Sequence, residues 1–146
     1  IFLNGKDITK EIIQIEVSNI VSEVAAIPEV RRKLVKEQQK LGERKGVVMD
    51  GRDIGTVVFP NAEVKLFITA NVDIRTERRY LELKEKNMET SFEKVRKNLI
   101  HRDRIDSSRE DSPLIQAEDA ILIDNSYMGR EEQLFIASKI IDEKLK

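Results

Sequence analysis

Apolar side chains recur along the first part of the chain at spacings that predict a hairpin followed by two helices. Asn4 and Gly5 form a turn-favouring pair between apolar flanks, which indicates a β-hairpin. Valine and isoleucine then stand at helical spacing over residues 17–24. A second helical stretch begins at Pro28, a residue that suits the first turn of a helix, and ends near Leu41.

The rest of the chain alternates short apolar runs with long charged stretches. The apolar runs that predict strands are residues 47–49, 64–68 and 120–123. The charged stretches that predict helices are residues 73–86, 92–109 and 129–145. Strands that alternate with helices predict an α/β fold, in which helices flank a parallel sheet.

Composition limits the classes of protein that fit this pattern. With 146 residues, 40% of them hydrophobic, the chain is long enough for one domain. Charged residues make up 36%, but the net charge of −1 argues against a general nucleic-acid or membrane-surface binder. The lack of cysteine excludes disulfides and thiolate metal sites. No signal peptide or membrane span is evident, so we expect a cytoplasmic protein.

The most distinctive segment is residues 50–60, which read Asp-Gly-Arg-Asp-Ile-Gly-Thr-Val-Val-Phe-Pro. Two carboxylates, an arginine and two glycines in one turn predict a site for a charged ligand, because Arg52 offers a planar donor fork that matches phosphate oxygens. A strand at 47–49 would place this turn at the carboxyl end of the sheet, where open α/β sheets bind ligands. The alternative is that Asp50 and Asp53 cap the turn and pair with Arg52.

A second candidate cluster lies on the helix predicted over residues 92–109. At about 100° per residue, the side chains of Arg102, Asp106 and Arg109 fall within roughly 60° of one another, so they share one side of the helix. Arg104 points the other way. The alternative interpretation is an ordinary ion pair between residues four apart on a solvated helix.

These segments resemble the bacterial cytidylate kinases, which transfer the γ-phosphoryl group of ATP to CMP or dCMP. The resemblance rests on residues 50–60, on residues 22–31, which read Ser-Glu-Val-Ala-Ala-Ile-Pro-Glu-Val-Arg, and on the set Arg102, Asp106 and Arg109. It extends over essentially all 146 residues. It implies an enzyme of pyrimidine metabolism, a phosphotransferase that uses Mg²⁺ with ATP.

The resemblance also implies how the chain is organised. The fold would be that of a P-loop nucleoside monophosphate kinase, with residues 1–46 as a small CMP-binding insert and residues 47–146 as the remainder of the kinase core. A lid would lie at about residues 75–109. From the full-length protein we expect a monomer that binds CMP or dCMP and ATP, but neither nucleic acid nor membranes.

One motif of such kinases does not occur in the sequence. ATP is held by Gly-x-x-x-x-Gly-Lys-Ser/Thr, and none of the six glycines begins it. We therefore expect the central P-loop strand to be missing and the activity to belong to a parent protein, with this fragment inactive alone and able to swap or associate. The alternative is a CMP-binding or interaction module without catalysis.

The resemblance implies catalytic roles for Arg52, Arg109 and Asp50. The two arginines would grip the phosphate of CMP, since phosphoryl transfer depends on positioning and neutralising charge. Asp50 would hold Mg²⁺ through water, in keeping with the preference of Mg²⁺ for few carboxylates and several waters.

The resemblance also implies that five residues recognise the nucleoside. Cytosine presents an amino donor beside acceptors. The amino group would donate to Asp53 and the acceptors would accept from Arg31, with Ser22 adding a hydroxyl group. Arg102 and Asp106 would bind the ribose. For Arg31 the alternative is a solvated helix face, and for Ser22 an ordinary serine near a helix end.

The lid would contribute arginines that neutralise the transferring phosphate. Its candidates are Arg75, Arg78 and Arg79, on the helix predicted over residues 73–86. The pattern does not distinguish among the three, and for each of them a solvated helix face is the alternative.

Overall fold

A computed structural model describes all 146 residues. The chain begins with a small hairpin. Strands β1 (Phe2–Leu3) and β2 (Lys6–Asp7) pair antiparallel. The two residues between them, Asn4 and Gly5, have φ values of 50° and 81°. Both values lie in the left-handed region that tight two-residue hairpin turns require and that asparagine and glycine tolerate. The hairpin prediction is confirmed.

Two helices follow the hairpin after a 3₁₀ turn at Glu11–Ile13. Helix α1 spans Ile15–Ala26 and helix α2 spans Pro28–Gly42. Ile27 separates them with extended backbone angles, and Pro28 occupies the first turn of α2, where its missing N–H group is not needed. Both predicted helices are confirmed, and α1 packs against α2.

The central part of the fold is a parallel pair of strands, each followed by a helix. Strand β3 (Leu66–Thr69) pairs in parallel with strand β4 (Ile121–Asp124), with Leu66 opposite Ile121. The connection between them contains two helices, and a third follows β4. These helices are α3 (Val72–Glu85), α4 (Phe92–Ser108) and α5 (Arg130–Lys144). The observed order confirms the α/β prediction and its parallel strands.

Local capping explains where α3 and α4 begin. The Asn71 side chain accepts a hydrogen bond from the Asp73 amide at 2.8 Å, and the Ser91 hydroxyl accepts one from the Lys94 amide at 3.2 Å. Each bond satisfies one of the free N–H groups at a helix start. The two helices then pack against each other, with Tyr80 and Phe92 edge to face at 6.1 Å.

The strand predicted at residues 47–49 is wrong. This segment has no strand partner, and Val48 is 99% exposed. Strand β3 hydrogen-bonds only to β4, so the parallel sheet contains two strands and residues 47–49 do not pair with residues 64–68. An apolar run becomes a strand only where a neighbouring strand supplies hydrogen-bond partners, and none lies beside this one. The next ordered feature is a π-helical turn at Ile54–Val58.

Polar side chains dominate the buried interior. Fifteen residues are buried, and ten of them are polar or charged. The apolar ones are Val35, Val58, Leu83, Val95 and Ile123. Most of the buried polar residues lie on α1, α2, α4 and the turn at 53–58 and contribute to the candidate site, whereas Thr76 lies on α3 and Ser126 follows β4. None of the helices has the length and apolar character needed to cross a membrane.

Candidate functional site

Arg31 and Asp53 form a buried ion pair at the centre of the site. Arg31 lies on α2, and its Nε donates to Asp53 Oδ2 at 3.0 Å while its Nη2 donates to Asp53 Oδ1. The Arg31 side chain is 9% exposed and that of Asp53 is fully buried. Two parallel hydrogen bonds fix the planar guanidinium and carboxylate groups relative to each other. The structure thus brings together two residues predicted to recognise one ligand.

The π-helical turn after Asp53 holds that residue in place. The amides of Val57 and Val58 both donate to the Asp53 carbonyl, at 2.9 and 3.2 Å. Gln39, two turns after Arg31 on α2, donates to the carbonyls of Val57 and Val58 at 3.4 and 3.3 Å. Helix α2 therefore contacts the turn at two points, through Arg31 and through Gln39.

Asp106 on α4 joins two further arginines. Arg52 Nε donates to Asp106 Oδ2 at 2.9 Å, and Arg109 Nη1 donates to Asp106 Oδ1 at 3.4 Å. Arg109 follows the last residue of α4, and its Nε donates to the Ser112 carbonyl at 2.7 Å. Asp106 and Arg109 are buried, whereas the Arg52 side chain is 38% exposed. Arg52 is thus the more accessible of the two arginines.

Arg102 is half-buried beside this group, one turn before Asp106 on α4. Its Nη1 donates to the hydroxyl of Ser18 on α1 at 3.1 Å. Burial lowers the pKa of Arg102 below its ordinary value, and the nearby positive charge of Arg52 lowers it further. The exposed side chain of Arg104 lies apart from these residues, as the helical spacing predicts.

The charges of the cluster do not balance. Four guanidinium groups, from Arg31, Arg52, Arg102 and Arg109, lie with only two carboxylates, from Asp53 and Asp106. Burial lowers the pKa of Arg109, and the nearby Arg31 lowers it further. Arg31 and Arg109 are buried, whereas Arg52 and Arg102 are partly exposed. Buried positive charge is costly unless an anion accompanies it, so the cluster is suited to an anionic ligand.

Two donors in the cluster are buried without a partner. They are Nε of Arg102 and Nη2 of Arg109. Buried donors are almost always hydrogen-bonded in folded proteins, so unpaired ones call for an explanation. Both belong to residues predicted to bind ribose or phosphate, and oxygens of such groups are the acceptors that guanidinium donors match.

Asp50 stands apart from the buried cluster. Its carboxylate is exposed and accepts no hydrogen bond from the protein. No group of three or more acidic or histidine side chains has the spacing of a metal site. A lone exposed carboxylate fits Mg²⁺ that keeps several waters and takes its remaining ligands from substrate phosphates. The donor set is therefore compatible with the role predicted for Asp50.

Ser22 is buried on α1, one turn after Ser18, and is 2% exposed. Its side chain makes no hydrogen bond within the protein. A buried serine of this kind has hydroxyl capacity left for a ligand. Its predicted contact with cytosine stays a prediction.

The three predicted lid arginines all lie on α3, but their surroundings differ. Arg75 pairs with Asp103 of α4 at 2.7 Å, and Arg79 pairs with Glu82 at 2.7 Å. Arg78 donates to the Asn125 side chain at 3.0 Å and to the carbonyl of Asn125 at 2.8 Å. Arg78 thus contacts the loop after β4, and the other two arginines each have a single carboxylate partner.

The sequence interpretation missed three polar residues that support the cluster. They are Ser18 and Asn19 on α1 and Asn98 on α4. Ser18 lies one turn before Ser22, and Asn98 one turn before Arg102, so each shares a helix face with a predicted site residue. That spacing was the available signal.

Comparison with known proteins shows the family to which the chain belongs. The family model described as cytidylate kinase matches residues 1–143. The chain belongs to the cytidylate kinase family. A cytidylate kinase of Flavobacterium johnsoniae is 54% identical over 145 residues, which are 99% of this chain and 63% of that relative.

Two other cytidylate kinases match a similar share of the chain. A cytidylate kinase of Phocaeicola vulgatus is 57% identical over 132 residues, 90% of this chain and 58% of that protein. One of Enterococcus faecalis is 46% identical over 144 residues, 99% of this chain and 64% of that protein. The chain thus spans about three fifths of the length of the curated cytidylate kinases that it matches.

Proposed function

We propose that the protein to which these residues belong transfers a phosphoryl group from ATP to CMP or dCMP, and that this chain binds the nucleoside monophosphate. One observation carries the proposal: a single positively charged cluster contains both the buried Arg31–Asp53 contact and two guanidinium donors without a hydrogen-bond partner, on Arg102 and Arg109. Such a cluster offers polar groups for a base together with positive charge for a phosphate.

The Arg31–Asp53 pair would recognise cytosine. A carboxylate only accepts hydrogen bonds and a guanidinium only donates. Cytosine has an exocyclic amino group that donates, next to a ring nitrogen and a carbonyl that accept. Uracil has a carbonyl in place of the amino group, and that carbonyl would face the Asp53 carboxylate without a proton between them. The pair therefore favours cytosine, and the buried Ser22 hydroxyl would add a further contact.

Arg52 and Arg109 would bind the phosphate of CMP. Asp106 holds both of them, at 2.9 and 3.4 Å, and leaves other donors of each guanidinium available. Arg102 and Asp106 would contact the ribose. Since phosphoryl transfer depends on aligning and neutralising polyanions, fixed arginines are the protein's main means of promoting it.

Asp50 and the arginines of α3 would serve the ATP side of the reaction. When bound, Mg²⁺ neutralises charge on the phosphates of ATP. Asp50 would accept hydrogen bonds from its waters. To reach a phosphate, each arginine would have to release a backbone carbonyl: Ala70 for Arg75, Asn125 for Arg78 and Ile13 for Arg79. Arg75 and Arg79 would also have to leave Asp103 and Glu82.

A CMP-binding module without catalysis is the second candidate. The observation that favours it is the lack of a Gly-x-x-x-x-Gly-Lys-Ser/Thr motif in these 146 residues. We infer that the 146 residues alone bind CMP but do not transfer phosphate, because no loop in them cradles the phosphates of ATP in that manner. Cytoplasmic location and a monomeric full-length protein stay predictions.

A phosphoryl-transfer assay separates the two candidates. Formation of CDP from ATP and CMP would be followed by chromatography for the full-length protein and for residues 1–146. We expect CDP from the full-length protein, little UDP from UMP, and none from residues 1–146. If the full-length protein binds CMP but forms no CDP, the binding module is correct. If it neither binds nor phosphorylates CMP, both candidates are wrong.

A further inference from the structure

Arg102 depends on a single protein group for its placement. The only hydrogen bond of its guanidinium runs from Nη1 to the Ser18 hydroxyl, at 3.1 Å, and its Nε is buried without a partner. Asp106, the site carboxylate one turn further along α4, already accepts from Arg52 and Arg109. No carboxylate therefore holds Arg102 by direct contact, although the side chain lies half-buried beside the positive charge of Arg52.

A polar relay extends from Arg102 across the interface of α4 and α1. The Ser18 hydroxyl donates to Asn98 Oδ1 at 2.9 Å, and Asn98 Nδ2 donates to Asn19 Oδ1 at 2.8 Å. Ser18 is 9% exposed and Asn98 is 7% exposed. Ser18 and Asn98 thus lie in the interior, between two helices that pack together, and the relay ends at the exposed Asn19.

The relay has one consistent direction. A guanidinium can only donate, so the Ser18 oxygen must accept from Arg102 and direct its own proton elsewhere. Asn98 Oδ1 takes that proton, and the amide nitrogen of Asn98 is committed to Asn19. Each hydrogen bond polarises the next, which strengthens a chain of this kind when it is buried. Asn98 therefore fixes the orientation in which Ser18 accepts from Arg102.

We propose that Ser18 and Asn98 are positioning residues, which hold the Arg102 guanidinium in the orientation that leaves its Nε facing a bound nucleotide. The inference rests on the proposed function, in which Arg102 contacts CMP. Side chains that bind a ligand gain affinity when their supporting contacts fix them beforehand. Through this relay, α1 would determine the position of a ligand-binding group on α4.

Calorimetric titration of CMP into the protein tests the proposal. Ser18→Ala removes the acceptor without lowering helix propensity, and it should weaken CMP binding about tenfold, the effect of losing one hydrogen bond to a charged group. Ser18→Thr keeps the hydroxyl and should restore affinity to within about twofold. Ser107→Ala is the matched control, since that exposed serine on α4 contacts only the carbonyls of Asp103 and Arg104.

A double-mutant cycle shows whether the effect passes through Arg102. In an Arg102→Met background, Ser18→Ala should cause no further loss, because no donor remains for Ser18 to position. An undiminished loss in that background, or equal losses for Ser18→Ala and Ser18→Thr, would overturn the proposal.

A measurement without nucleotide separates this inference from the proposed function. In protein labelled with ¹⁵N-arginine, the Nε–H resonance of Arg102, assigned by its loss in Arg102→Lys, should exchange with solvent at least several-fold faster in Ser18→Ala and in Asn98→Leu. Unchanged exchange would overturn the positioning role. Faster exchange in a protein that does not bind CMP would leave the positioning role intact and refute the proposed function instead.

Discussion

Arg31 and Asp53 form a two-point ion pair that links α2 to the turn preceding β3, and neither side chain is more than 9% exposed. Removing either charge from water carries a large cost, which their mutual attraction and hydrogen bonds must offset. A pair of this kind contributes little to stability compared with apolar residues of similar size. Its placement within a positively charged cluster supports the ligand recognition proposed for it.

The first prediction tests how much the Arg31–Asp53 pair contributes to stability. Arg31→Met leaves the Asp53 carboxylate buried without its partner and should lower the free energy of unfolding by about 3 to 5 kcal/mol. The double variant Arg31→Met/Asp53→Leu removes both charges and should recover most of that loss. Urea unfolding followed by circular dichroism measures both values. A double variant less stable than Arg31→Met would show that the pair itself stabilises the fold.

A second prediction concerns the phosphate. Arg52→Lys and Arg109→Lys keep the charge but lose the two-pronged donor geometry, so each should weaken CMP binding by about 1.5 to 3 kcal/mol. Cytidine, which lacks the phosphate, should bind each variant within about twofold of wild type. Calorimetry with both ligands checks this. Arg104→Lys is the control, because that exposed guanidinium makes no hydrogen bond.

Equal losses for cytidine and CMP in the Arg52 and Arg109 variants would contradict phosphate binding. Such a result would assign both arginines a structural role around Asp106, which contacts each of them.

A third prediction concerns the buried face of α3. Leu83 is 1% exposed, whereas Leu81 on the same helix is 52% exposed. Leu83→Ala should lower the free energy of unfolding by about 2 to 5 kcal/mol, because it removes buried methyl groups and leaves a cavity. Leu81→Ala is the matched control and should change it by about 0.5 kcal/mol or less. Similar effects of both variants in urea unfolding would contradict the difference in burial between Leu83 and Leu81.

A fourth prediction concerns pH. Asp124, at the end of β4, accepts from the Ser126 hydroxyl and from the Ser126 amide, and these bonds lower its pKa below the ordinary 3.8. A group whose pKa falls on folding stabilises the protein above the unfolded pKa and loses that contribution as the pH falls through the folded pKa. The stability advantage of wild type over Asp124→Asn should therefore shrink below about pH 4.

Unfolding curves between pH 7 and pH 3 measure this difference. Asp142→Asn, on an exposed carboxylate of α5 without a hydrogen bond, serves as the control. A gap between wild type and Asp124→Asn that widens on acidification would contradict the assignment.

Local sequence signals predicted most of the secondary structure, because the residues concerned determine their own conformation. Asn4 and Gly5 take up the left-handed angles that their turn needs, and Pro28 occupies the first turn of α2. The strand expected at residues 47–49 failed for the opposite reason. Its apolar run specifies no structure without a neighbouring strand, and Val48 is left in solvent.

The candidate site was predictable residue by residue but not as a network. Helical spacing placed Arg102 and Asp106 on one face of α4. It could not show that Asp106 contacts Arg52, which is 54 residues away in the sequence, or that Ser18 contacts Arg102, which is 84 residues away in the sequence. The first contact depends on how the segment containing Arg52 lies against α4 and the second on how α1 packs against α4, and the pattern of one helix contains neither.

The CMP-to-UMP affinity ratio, measured by calorimetry on wild type and on Asp53→Asn, tests the account most directly. The carboxylate of Asp53 can only accept, whereas the side-chain amide of the variant could donate to the carbonyl of uracil. We expect CMP to bind wild type more tightly than UMP, and Asp53→Asn to weaken CMP by about 1 to 3 kcal/mol and reduce the ratio. An unchanged ratio in a variant that remains folded would contradict recognition of cytosine by Asp53.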